Sequence, residues 1–340
     1  MKLIKTEDAV GSVLCHDITQ IIRGVTKDAV FKKGHIVTEE DIPVLLSVGK
    51  EHLYVWENDD TMLHENEAAL ILAGMCADET SGLVLSEVKE GKIELSAGYD
   101  GLLKVDSDRL CRVNSFGEMM IASRRGDRGV RKGDKVAGTR IIPLVIGKDK
   151  MEAASRICAD GPIFHIMRYV HRKCAIITTG SEVFKGRIED TFTPVIMDKL
   201  SEFDTEILCH EICPDDHEVI TGKIKMALDK GADLVICTGG MSVDPDDKTP
   251  LAIKNASDDM VTYGAPVLPG AMLALAYTAQ GTPIVGLPGC VMYARRTIFD
   301  LLLPRLMAGD RVTASQIAAL GEGGLCLSCD VCHFPNCSFG

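Results

Sequence analysis

A chain of 340 residues is too long for one ordinary hydrophobic core and points to two or three domains. Its net charge of -12 argues against a general nucleic-acid binder, whose affinity comes largely from lysine and arginine on phosphates. No apolar run approaches the roughly 20 residues of a membrane span, and the N-terminus has no basic segment followed by an apolar one. A cytoplasmic protein with no nucleic-acid or membrane partner is therefore expected.

The first 58 residues read as a small mixed α/β module. Thr38 with Asp41 has the spacing of a capping box, "EEDIPVLLSV" is a short helix that Gly49 ends, and "HLYVW" is a strand. Residues 59–171 turn to short alternating runs, among them "GLVLSEV", "KIELSA", "GLLKVD" and "DKVAGTRIIPLVI", separated by Glu90-Gly91 and Lys132-Gly133-Asp134. That pattern predicts a β-rich, barrel-like module, closed by a connecting helix in "KDKMEAASRICADG". Within it, "SRRGDRGVRKGDK" places Arg124, Arg125, Arg128, Arg131 and Lys132 on a turn. Such a run is either a solvated hairpin or a guide for an anionic ligand or acidic partner.

From residue 172 to 310 strands and helices alternate. The strands are "CAIITT", "TEILCHEI", "DLVICT" and "PIVGL"; the helices run from about Thr193 to Phe203, Asp216 to Lys230, onward from Thr249, and Val291 to Met307. The second helix carries Ile220, Ile224, Ala227 and Leu228 on one face. This order predicts a doubly wound, mostly parallel sheet with helices on both sides, three layers in all. Residues 311–340 form a short cysteine-rich tail.

Ligands of such sheets sit outside the carboxyl ends of the strands, where glycine turns let backbone amides approach an anion. Three strand ends carry glycine: "TTGSE" with Thr179 and Gly180, "CTGG" with Thr238, Gly239 and Gly240, and "GLPG" with Pro288 and Gly289. The middle turn runs past Ser242 into Asp244, Asp246 and Asp247, and the turn after "ILCHEI" supplies Asp215 in "CPDD". Helix capping is one account of these aspartates: Asp215 stands three residues before Glu218, and Asp247 just before Thr249-Pro250. The other is a bound Mg²⁺, which is commonly held by one or two carboxylates together with phosphate oxygens and would relieve the repulsion between carboxylates and a bound phosphate.

The segment from Cys174 to Leu306 resembles the molybdopterin-binding domain shared by molybdopterin adenylyltransferases and molybdopterin molybdenumtransferases, the MoaB/Mog fold. The matching pieces, in family order, are "TTGSEVFKGRIEDT", "CPDD", "TGGMSVDPDDKTP", "LPG" at Leu268 to Gly270, and "GLPG". The resemblance implies a transferase of molybdenum cofactor biosynthesis that binds molybdopterin or its adenylylated form with Mg²⁺, with ATP or molybdate as further substrates, and a homo-oligomer. It implies a molybdoenzyme partner if the protein instead only carries or senses the cofactor. It places Asp215 and Asp247 in metal binding and catalysis. Thr179, Gly180, Glu182, Asp190, Thr238, Gly239, Gly240, Ser242, Pro269, Gly270, Pro288 and Gly289 fall on the pterin-binding positions. The chain departs from the molybdenumtransferase pattern at Ser181, Ala271 and Cys290, where an aspartate, a lysine and an asparagine are usual.

Thirteen cysteines are many for a chain without secretory signals, and nine are scattered among apolar neighbours as small core residues. The other four, Cys326, Cys329, Cys332 and Cys337, form a C-x2-C-x2-C-x4-C run. Four closely spaced thiols in a polar tail suit metal ligation, by zinc or by a [4Fe-4S] cluster.

Overall fold

The computed structural model describes residues 2–22, 26–55, 60–242, 244 and 247–340, with the side chains of 21, 22, 26 and 27 left aside. The chain divides into two compact units, residues 1–98, 105–124 and 133–165 in one, and 99–104, 125–132 and 166–340 in the other.

In the first unit, strand Lys2–Lys5 pairs antiparallel with His52–Val55, and helix Asp41–Ser47 joins them around a small core of Ala9, Leu14, Ile18, Val37, Leu45 and Leu53. Thr38 N–H donates to Asp41 Oδ2 at 2.8 Å, one half of the expected capping box, but Asp41 N–H donates to the Thr38 carbonyl and the helix starts after Glu40 without a side-chain cap. Trp56, the end of the predicted "HLYVW" strand, lies outside the described residues. Whereas the run at 101–105 pairs antiparallel with 128–130 in a separate sheet, three of the alternating runs, joined by residues 119–123, become an antiparallel sheet in the order 83–85, 92–97, 135–141, 119–123. Two helices that alternation could not reveal accompany it, Glu65–Cys76 and Ser107–Asn114. The first buries an almost unbroken small-residue surface of Ala68, Ala69, Leu72 and Ala73. A helix apolar around most of its circumference carries little periodic signal.

The second unit is built on a six-stranded sheet. Its elements are β1 (Arg172–Thr179), α1 (Phe192–Leu200), β2 (Thr205–Cys213), α2 (His217–Asp229), β3 (Leu234–Thr238), α3 (Thr249–Ala256), β4 (Asp259–Tyr263), β5 (Ala274–Tyr277), β6 (Pro283–Leu287), α4 (Ile298–Met307) and α5 (Ala314–Ala319). The order across the sheet is β2-β1-β3-β6-β5-β4. The first four strands are parallel; at the far edge β5 pairs antiparallel with β6, and β4 antiparallel with β5. Sequence alternation missed β4 and β5, because β5 is buried on both faces and reads as a plain apolar run. The predicted helix from Val291 is shorter, a 3-10 turn at Gly289–Met292 followed by α4.

Successive residues of β1 go to opposite layers. Cys174 and Ile176 pack with Ile196 of α1 and Phe299, Leu302 and Leu306 of α4. Ala175 and Ile177 pack with Ile220, Ile224 and Ala227 of α2 and Ala252 and Ile253 of α3. Burial on both faces explains why β1 and β3 are continuous apolar runs. The three-layer, mostly parallel architecture expected from the element order is the observed one.

One buried charge cluster ties α1 to α4. Lys199 Nζ donates to Asp300 Oδ1 at 2.6 Å, Arg296 Nη1 reaches the same oxygen at 2.8 Å, and Asp300 Oδ2 accepts the Thr297 N–H at 2.8 Å as part of the α4 capping box. Lys199 and Asp300 are buried. Removing the carboxylate strands an ammonium in the core, so Asp300→Ala should destabilise this unit by about 3–5 kcal/mol. Native-state hydrogen exchange of the β1 and β3 amides in the full chain measures it; an unchanged protection pattern would contradict the buried cluster.

Candidate functional site

Strands β1 and β3 lie side by side and end at the same level, Thr178 opposite Thr238. Beyond β3 the chain turns at once through Gly239 and Gly240, both in the left-handed region with φ of 86° and 53°. A Cβ on Gly239 would fall on the carbonyl oxygen of Thr179, and one on Gly240 would lie 2.9 Å from Thr249 Oγ1 and 3.5 Å from Asp215 Oδ1. Only glycine satisfies both the backbone angle and the approach. The hydroxyls of Thr179 and Thr249 meet at 3.1 Å, and Thr249 N–H donates to Gly240 O at 3.2 Å. The first loop, the "CPDD" loop, the glycine turn and the start of α3 are thereby brought to one point.

The aspartates divide between two jobs. Asp216, not Asp215, caps α2, its Oδ1 accepting from the N–H groups of Glu218 and Val219 at 2.8 and 3.1 Å. Those hydrogen bonds to the charged form hold its carboxyl below the ordinary range. Asp215 is freed to reach across to the first loop, where Oδ2 accepts the Ser181 N–H at 2.7 Å. Asp247 is not a cap either. The α3 N-terminus has no side-chain cap, and Asp247 Oδ2 accepts the Ser242 N–H at 2.8 Å instead. Asp247 N–H donates to Asp244 O at 2.9 Å, while Asp246 lies outside the described residues. Capping thus accounts for neither of the two carboxylates beside the glycine turn.

A cavity of about 510 Å³ opens at this point, a volume usual for a small-molecule site. Gly239, Gly240, Ser242 and Asp247 form one side, and Pro288 and Gly289 of the "GLPG" turn another. Met241, Met272, Met292, Phe192 and Tyr293 supply an apolar wall with polarizable sulfurs, suited to a flat ring. Ala271 and Cys290, two of the departures from the molybdenumtransferase pattern, also line it, and among its described lining residues none is lysine or arginine. Sequence reasoning missed Tyr263 of β4, whose hydroxyl donates to Met241 O at 3.1 Å and Ser242 O at 3.2 Å and so braces the glycine turn. It lies on an edge strand that no local signal announced.

Other predicted positions have different settings. Thr238 is fully buried behind the turn, and Gly180 begins the single helical turn Ser181–Phe184, on which Glu182 is exposed. The Leu268-Pro269 peptide bond is cis, Pro269 O accepts the Ile298 N–H at 3.2 Å, and a Cβ on Gly270 would meet Ile298 Cγ2 at 2.5 Å. Those contacts hold the "LPG" turn against α4. Asp190 caps α1 through the N–H groups of Phe192 and Thr193 at 2.9 and 3.0 Å, and its second oxygen accepts from the hydroxyls of Thr193 and Thr178 at 2.6 and 3.1 Å. His210 Nε2 lies 3.3 Å from the same oxygen.

The basic run separates into individual partnerships. In the first unit Arg124 pairs with Asp134 at 3.1 Å; in the second, Arg128 is buried and donates to Phe339 O at 3.1 Å. It is not a uniformly solvated hairpin surface. Cys326 is half-buried and Cys329, Cys332 and Cys337 are exposed; among the described residues no three Cys, His, Asp or Glu side chains converge on one ion-binding point. No helix among the described residues is long and apolar enough to cross a membrane.

Residues 175–308 match the family described as a probable molybdopterin binding domain. This segment is a domain of the molybdenum cofactor biosynthesis type. Residues 3–57 match a family described only as a domain of unknown function. Among curated proteins, a CinA-like protein of Mycobacterium avium is 35% identical over 80 residues, 24% of this chain and 18% of that protein. One from Mycobacterium tuberculosis is 34% identical over the same length, 24% of this chain and 19% of that one. The chain therefore spans about a fifth of the length of the curated relatives it matches. Among solved structures, the molybdopterin biosynthesis enzyme MoaB of Thermus thermophilus is similar at 24% identity and a TM-score of 0.37, covering 42% of this chain and 98% of that one. The Mog protein of Mycobacterium ulcerans is similar at 23% identity and 0.35, covering 43% and 99%.

Asp190 provides a pH test of this domain's frame. Burial opposes its ionisation, but the hydrogen bonds from Thr193, Phe192 and Thr178 outweigh that and lower its pKa. A carboxyl lowered by folding stabilises the native state above its unfolded value of about 3.9, and the contribution disappears as pH falls through the folded value. Asp190→Asn keeps a capping oxygen and removes the charge. Its deficit against wild type in thermal denaturation should be constant above about pH 5 and shrink below about pH 3.9; a deficit that grows in acid would refute the assignment.

Proposed function

We propose that the cavity at the glycine turn binds the phosphate of molybdopterin, or of adenylylated molybdopterin, together with Mg²⁺, and that the protein acts in molybdenum cofactor biosynthesis. The observation that carries this reading is the pair Asp215 and Asp247, both beside Gly239-Gly240 and neither occupied as a helix cap. Each has one oxygen fixed by a backbone N–H, which sets the carboxylate's direction before any ligand arrives. Two oriented carboxylates fit Mg²⁺, which keeps several waters and takes phosphate oxygens for the rest of its shell. Bound there, the cation would offset phosphate charge and polarise a phosphorus–oxygen bond.

The chain's own residues would then divide the work. The amides of the glycine turn face the phosphate, the methionine and aromatic wall takes the pterin ring, and Thr179, Thr249 and Tyr263 keep the turn rigid. Adenylyl transfer from ATP and molybdate insertion are the two reactions open to such a site. The lack of a cation among the described lining residues favours a second reading, in which the protein holds the cofactor unconverted and passes it to a molybdoenzyme. We further assign metal ligation, by zinc or an iron-sulfur cluster, to Cys326, Cys329, Cys332 and Cys337.

Anaerobic titration calorimetry of the full chain with molybdopterin, with and without Mg²⁺, tests the site. Asp215→Ala and Asp247→Ala should each weaken the Mg²⁺-dependent binding at least tenfold, about 1.4 kcal/mol, with far-UV circular dichroism unchanged. Mass analysis after adding ATP or molybdate separates conversion from carriage. Binding indifferent to Mg²⁺ and to both substitutions would overturn the proposal.

A further inference from the structure

We propose that Cys326, Cys329, Cys332 and Cys337 are the ligands of a [4Fe-4S] cluster, seated in a cavity formed between the C-terminal tail and the loop that precedes α4. All four cysteines line one cavity of about 700 Å³, and Arg295 and Arg296 line it with them. The tail is held in place there. Leu268 N–H donates to Gly324 O and Cys326 N–H to Leu268 O, both at 2.8 Å, which lays the first thiol alongside the "LPG" turn. Arg295 Nη1 donates to the carbonyl of Asp330 at 2.7 Å and to that of Cys329 at 3.4 Å, while the Arg296 guanidinium stacks 4.9 Å from the Phe334 ring. Phe339, two residues past Cys337, is buried in the domain core. A loose sulfur-carrying arm would not be fastened at its start, middle and end.

Four thiolates can serve either of two metal centres, and the room between the four cysteines favours the larger. A single zinc ion would draw all four sulfurs to about 2.3 Å from one point, whereas the four cysteines here line a cavity of about 700 Å³. A cubane offers four separate iron corners, one thiolate to each, and so suits thiols distributed around the walls of a larger cavity. Ligation converts each thiol to a thiolate, with its proton released to solvent, and the resulting centre is anionic. Arg295 directs its guanidinium to backbone carbonyls of the ligand loop, so it brings positive charge to the cavity wall. Arg296, although paired with Asp300, adds a second cation on the same wall. Tyr293 lines this cavity and the glycine-turn cavity alike, so the cluster would stand next to the pterin site.

The inference rests on the tail being a metal-ligand set and is independent of the pterin reading. The test is anaerobic reconstitution of the full chain with ferrous and ferric iron in equal amounts and sulfide, and in parallel with zinc alone. About four irons and four sulfides per chain are expected, with a broad visible absorption that dithionite bleaches and an electron paramagnetic resonance signal in the reduced form. Cys329→Ser with Cys332→Ser should abolish both signals, whereas Cys111→Ser, at an exposed cysteine outside the tail, should leave them intact; circular dichroism checks the fold of each variant. Zinc uptake without iron would overturn the cluster and leave thiolate ligation standing. Equal metal content in the tail variant and wild type would overturn both.

Discussion

The closeness of two strand ends governs this site. The Gly239 backbone lies against the Thr179 carbonyl so tightly that no side chain fits, and the turn that follows needs the left-handed backbone of Gly240 as well. Because β1 and β3 are adjacent and parallel, this contact brings two separate strand ends and the turns that follow them to one surface. Asp215, Thr249 and Tyr263 each reach that surface from a different element and hold it by hydrogen bonds to backbone or hydroxyl groups. A rigid amide surface loses little on meeting an anion, since its dipoles are already aligned.

Charge is arranged around that surface in two ways. Caps such as Asp216 and Asp190 have their oxygens filled by amide and hydroxyl donors and serve the helices. Asp215 and Asp247 stand two residues away from similar helix starts but turn their carboxylates to loop amides beside the glycine turn, and of the two Asp247 lines the cavity. Adjacent aspartates, Asp215 and Asp216, thus differ in what they bind, one a loop amide and the other a helix start. Ala271 lines the cavity, and among its described lining residues none is lysine or arginine.

The loop from Tyr293 to Arg296 links this surface to the tail. Its first residue faces the glycine-turn cavity, and its arginines face the cysteines and the buried Asp300 that caps α4. The same short segment thus borders two cavities and anchors a helix. The tail is an integral part of the domain, since Phe339 lies in the core with Phe299 and Leu302.

The sequence by itself determined the alternation of strand and helix from Arg172 onward, the apolar face of α2, the glycine turns and the cysteine spacing. Each is a local property: helix period, backbone freedom at glycine and distance along the chain are all fixed within a few residues. It also determined which family the segment 175–308 resembles, because five motifs keep their order along the chain. It could not reveal β5 or the helix Glu65–Cys76, where burial on several sides erases the periodic signal, nor β4, a half-exposed edge strand without apolar alternation. Only the tertiary structure decided that Asp216 caps α2 while Asp215 crosses to Ser181, that Tyr263 braces a turn more than twenty residues away, and that the four thiols surround a cavity. Those outcomes depend on which elements meet in space, and a hydrogen bond or a cavity wall exists only once distant segments have been packed against each other.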